Sequence, residues 1–131
     1  MSPAVLSFIF KYIDSIETIE ILLFLRSVRN DYKNAEQISH QLRSNPSSVE
    51  KRLLTLKSHR LIVENLELKG RYKFDPENSE IEMVIHEFAE AYIVKPQRIF
   101  EILYSPNRQI REFADAFVIG RSKKKEDDDN G

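Results

Sequence analysis

The chain of 131 residues has no cysteine, which excludes disulfides, iron–sulfur clusters and thiolate zinc sites. That absence fits a reducing compartment, and a cytoplasmic location is the expectation. Its uncharged apolar stretches fall far short of the roughly 20 residues that a bilayer-crossing helix needs, so no membrane span is expected. Met1 to Phe10 carries neither a basic leader before its apolar residues nor a small-residue cleavage pattern, and does not read as a signal peptide. Three glycines in the whole sequence leave little material for a phosphate-cradling loop. No serine lies in a nucleophile-elbow pattern. The three histidines, His40, His59 and His86, fall in separate segments and have no ligating partner three or four residues on. His86-Glu87 lacks the second histidine of a zinc-protease helix. The sequence therefore argues against an enzyme, and no metal or cofactor is expected.

What is present is a foldable core and an uneven charge. Hydrophobic residues make up 41% of the chain, enough for one compact domain with an appended helical segment. The net charge of −1 hides a basic middle. Arg26 to Lys73 holds 11 Lys/Arg against 5 Asp/Glu, a local charge of +6, flanked by −2 before it and −5 after it. A phosphate backbone responds to the local patch and not to the total.

Periodicity supplies the elements. Leu6, Ile9, Phe10 and Ile13 predict a short helix over Val5 to Ile13. Asp14 and Glu17 stand at capping-box spacing, with Ser15 as the alternative cap. Ile16 to Val28 is so densely apolar that its helix should be buried on most sides. Asn30, Asp31 and Asn34 supply turn and cap chemistry before a helix over Ala35 to Leu42. Asn45 is the expected cap, and Pro46 the first residue, of a third helix running to about His59, with Val49, Leu53 and Leu56 on its core side. Two strands follow, Leu61 to Leu66 and Arg71 to Phe74, joined at Leu68-Lys69-Gly70 with Gly70 able to take a positive φ. Asp75 to Ser79 breaks the pattern and starts a further helix, whose apolar face runs from Ile81 up to about Val94; more helix is expected around Ile99 to Tyr104 and around Ile110, Phe113, Ala114 and Phe117. The run after Ser122 has no apolar content and should be disordered.

The order helix, short helix, turn, helix, hairpin between Ser15 and Asp75 resembles the winged helix-turn-helix superfamily. Ala35 to Leu42 looks like its second helix, Ser47 to Leu56 like its recognition helix, Leu61-Ile62-Val63 like the strand that opens the wing, and Leu68 to Tyr72 like the hairpin. The style is closest to bacterial transcriptional regulators of the MarR or PadR kind. The implied fold is mainly α with a small β-hairpin. Its parts are a winged helix-turn-helix domain at 1–75, a C-terminal helical extension at 76–120 and a charged tail at 121–131.

The resemblance implies double-stranded DNA as partner, with the recognition helix in the major groove and the wing on the backbone. The expected contacts are Ser47, Ser48, Lys51, Arg52 and Thr55 on the helix, Arg43 and Lys57 at its ends, and Lys69, Arg71 and Lys73 on the wing. Two features depart from the family pattern. Glu50 puts a carboxylate on the helix that meets phosphate, where it can also accept from a cytosine amino group. His59-Arg60 replaces the glycine that usually ends the helix, which predicts a different turn. Ile81, Ile85, Phe88 and Tyr92 form an apolar stripe that either packs on the domain or meets a second copy in a homodimer. The competing function is an adaptor that binds protein and not DNA, suggested by Glu50, the short wing and the acidic remainder.

Overall fold

Side-chain oxygens set the start of most helices. Ser2, Ser15, Asn34, Asn45 and Asn78 each accept backbone N–H groups that the first helical turn cannot satisfy internally. They open α1 (Pro3–Tyr12), α2 (Ile16–Ser27), α3 (Ala35–Leu42), α4 (Pro46–Ser58) and α5 (Ser79–Val94) in a computed structural model that describes residues 1–105. A sixth helix, α6 (Pro96–Leu103), starts with proline at its first position and no side-chain cap. Asn34 has a full capping box, because Gln37 returns a bond to its N–H. Ser15, not Asp14, caps α2: its Oγ accepts from the Thr18 N–H at 3.1 Å. The expected pairing of Asp14 with Glu17 is replaced, and both carboxylates turn to other partners. The helix expected around Ile110 to Phe117 and the charged tail lie outside the described residues.

The fold is mainly helical with a small antiparallel sheet. Three strands form it among the described residues, β1 (Lys33–Asn34), β2 (Ile62–Glu64) and β3 (Arg71–Phe74), in the order β1-β3-β2. Sequence expects two. β1 escapes notice because two residues carry no alternation, and Asn34 is at once strand and helix cap. Lys33 stands opposite Tyr72 and Asn34 opposite Arg71, while Ile62, Val63 and Glu64 stand opposite Phe74, Lys73 and Tyr72. Tyr72 and Phe74 enter the core, which leaves Arg71 and Lys73 on the outer face.

α2 lies at the centre, with Ile19, Ile21, Leu22 and Leu25 fully buried against α3, α4 and β3. α5 packs on α1, and α6 on α5. Ile85 and Phe88 are fully buried in the same core as α2 and α4, so the core continues across the boundary expected at residue 75. These two residues of the α5 stripe are consumed inside the chain and cannot meet a second copy. Ile81 and Tyr92 are half-buried against the same core. Phe88 sits 5.3 Å from Phe8 and 6.3 Å from Tyr92, ring centre to ring centre.

The end of α4 also differs from expectation. Arg60 takes a φ of +60°, the Arg60 N–H reaches the Lys57 carbonyl and the Leu61 N–H reaches the Leu56 carbonyl. That is the usual left-handed helix ending, formed without glycine. Leu56 and Leu61 are both buried, so the packing that this ending brings together holds an arginine in a costly conformation. Arg60→Gly is expected to raise stability by about 1 kcal/mol in urea unfolding. The Arg60–Glu77 ion pair that it removes is exposed and offsets little of that.

Candidate nucleic-acid interface

α4 divides its surface among three neighbours. Val49, Leu53 and Leu56 face the core. Ser48 and Arg52 lie on the flank toward α2, and Glu50 and Lys57 on the flank toward the sheet. Ser47, Lys51, Leu54 and Thr55 point outward and are exposed.

The α2 flank closes on one carboxylate. Glu17 accepts hydrogen bonds from the hydroxyls of Ser44 and Ser48 and from Nε of Arg52 at 3.2 Å. The Arg52 guanidinium also reaches Asp14 at 3.3 Å, and Asp14 accepts from the Thr18 hydroxyl at 2.7 Å. Burial pushes the Glu17 carboxyl up, but the bonds from Ser44, Ser48 and Arg52 outweigh it and hold the group below its ordinary value. This cluster ties the first turn of α2 to the α3–α4 turn and to two turns of α4.

The sheet flank closes on a second carboxylate. Glu64 accepts from Nζ of Lys57 and from the N–H of Gly70, at 2.8 and 2.7 Å. Lys57 and then Gly70 pull its pKa down, and Glu64 raises that of Lys57. Gly70 has a φ of +83°, as the turn requires. Asn65 Oδ1 accepts from the N–H groups of Glu67 and Leu68, which fixes the turn between β2 and β3.

Set against the ten expected contacts, the structure splits the group. Ser48 and Arg52 are held by Glu17, Lys57 is held by Glu64, and the Lys73 ammonium lies 4.9 Å from the centre of the Tyr32 ring. Ser47 bonds back to Asn45 at 2.7 Å, and Thr55 to the Lys51 carbonyl at 3.2 Å. Arg43, Lys51, Lys69 and Arg71 have no hydrogen bond, ion pair or ring contact through their side chains among the described residues. Arg43 sits at the α3–α4 turn in the left-handed conformation, and Lys51 on the outward face of α4. Lys69 lines a cleft beside α4, and Arg71 projects from β3.

Glu50 lines that same cleft on the sheet side of α4. Its charge reaches the Tyr72 phenol. It stands a quarter-turn away from Lys51 and points toward the hairpin. Glu17 is the residue that sequence reasoning missed, and no periodic signal announces it. Its partners stand 27, 31 and 35 residues away.

Two of the three histidines, His86 and His59, have separate partners. The Arg26 guanidinium donates to Nδ1 of His86 at 2.8 Å, and the other ring nitrogen faces Glu90 at 3.2 Å. His59 stacks edge-on against Tyr12. No group of three metal-ligating side chains converges, and no helix is long and apolar enough to cross a membrane, among the described residues.

Comparison with known proteins returns no matching family model, no matching curated protein and no matching solved structure. The chemistry of the Glu17 cluster is nevertheless directly testable. Folding lowers the Glu17 pKa, so its stabilising effect is complete above the ordinary carboxylate value and is lost as pH falls through the lower folded value. Glu17→Gln is expected to cost about 2 kcal/mol at neutral pH, and urea unfolding should show the gap to wild type narrowing in acid.

Proposed function

We propose that the chain is a winged helix-turn-helix module that binds duplex DNA and regulates transcription, with the outward face of α4 in the major groove. The element order α2-β1-α3-α4-β2-β3, with β3 between β1 and β2, supports the winged-helix assignment. One observation carries the DNA assignment. Glu17 and Glu64 are neutralised by Arg52 and Lys57, whereas the charges of Arg43, Lys51 and Arg71 have no carboxylate partner among the described residues. Phosphate would therefore meet uncompensated cations, with Ser47 and Thr55 on the face that enters the groove. Arg52 acts as a positioning residue, fixing the tilt of α4 through Glu17.

A second reading, an adaptor that binds protein and not DNA, draws on the same ion pairs. With Arg52 held back, Lys51 is the only charge on the outward face of α4 among the described residues. A homodimer through α5 would have to use the exposed Met83, Ile93 and Val94 in place of Ile85 and Phe88, and sedimentation of the full chain reads this directly.

Fluorescence anisotropy with a random-sequence 30-base-pair duplex decides between the readings. Binding is expected at low salt, with log K falling linearly against log salt. Lys51→Ala and Arg71→Ala should each weaken binding and flatten that slope by about one unit. Absence of binding at low salt by a folded chain would remove the DNA reading and leave the adaptor.

A further inference from the structure

The cleft between α3, α4 and the hairpin turn has a volume of about 410 Å³, within the range of sites that hold ligands. Leu53 and Tyr72, both buried, make its floor. Leu54 stands at its wall with 59% of its surface exposed, although it belongs to a helix whose neighbouring apolar residues are all buried. Glu36, in the first turn of α3, and Glu50, on α4, supply two carboxylates. Neither takes a hydrogen bond or an ion pair through its side chain among the described residues. The one cation there, Lys69, also serves Glu64. The cleft is thus apolar at its floor and wall, and negative at its rim.

We propose that this cleft is a docking site for a peptide segment in which a lysine or arginine lies beside an aliphatic or aromatic side chain. The apolar side chain covers Leu54 and the exposed edge of the floor, and the cation lies between Glu36 and Glu50. Charge complementarity selects this occupant. Two unpaired carboxylates repel a phosphate backbone, and a small polycation such as spermidine would leave Leu54 in water. Leu68, 55% exposed on the adjoining turn, extends the apolar contact. The cleft borders the proposed DNA face and shares Leu54 and Lys69 with it, but the peptide contacts use none of Arg43, Lys51 or Arg71.

The test is selection from a phage-displayed library of random dodecapeptides on the full chain, followed by titration of one enriched synthetic peptide. Enriched sequences should pair Lys or Arg with an aliphatic or aromatic neighbour. Affinity should fall at least tenfold in the double variant Glu36→Gln/Glu50→Gln, and again in Leu54→Ala. Both sets of substitutions are at exposed positions, and circular dichroism with urea unfolding confirms that each variant is folded without reference to DNA. The proposal is overturned by enrichment without positive charge, by peptides that bind both variants unchanged, or by spermidine displacing the peptide at equal concentration.

Discussion

The half-buried carboxylate of Glu17 is the directional contact that the orientation of α4 depends on. The hydrophobic side of the helix would allow some rotation and sliding, since Val49, Leu53 and Leu56 offer no directional contact. Glu17 removes that freedom by accepting from Ser44, Ser48 and Arg52 together, at three points along the α3–α4 turn and α4. Charged hydrogen bonds are short-range and directional, so they specify an angle where apolar burial specifies only proximity. The cost is that Arg52, which has the right chemistry to meet a phosphate, is committed to holding the helix.

The remaining helices are joined by an aromatic series. His59 at the end of α4 meets Tyr12, Tyr12 meets Phe8, Phe8 meets Phe88, Phe88 meets Tyr92, and Tyr92 meets Phe100 on α6. Consecutive ring centres are 5.0 to 6.3 Å apart, inside the range where tilted and edge-on pairs attract. α5 and α6 are therefore part of the same core as the sheet and α4. Arg29 adds a polar stitch, bonding Glu82 of α5 at 2.9 Å while lying over the Phe74 ring of β3.

Local signals in the sequence located the local structure. Asn34, Asn45 and the apolar spacing of α2 to α5 are short-range features, and each element stands within a few residues of its expected place. β1 was not legible, because a two-residue strand is created by its partner, Tyr72 and Arg71, and not by its own composition. The turn at Arg60 shows tertiary packing overriding a local preference: burying Leu56 and Leu61 outweighs the strain of a left-handed arginine. The candidate site was legible only as a list of exposed polar positions on α4 and the hairpin. Which cations stay free depends on carboxylates brought close by the fold, as Glu17 is to Arg52, and side-chain spacing within one helix carries no information about that. The same limit applies to Ile85 and Phe88, whose periodicity is identical whether they meet α1 or another molecule.

Glu64 has a mechanical consequence. Its two oxygens meet the end of α4 through Lys57 and the hairpin turn through Gly70, which links the two. Hairpin turn and helix end therefore share a single anchor. A peptide in the proposed cleft would meet a wall partly set by that anchor, with less motion left to freeze on binding.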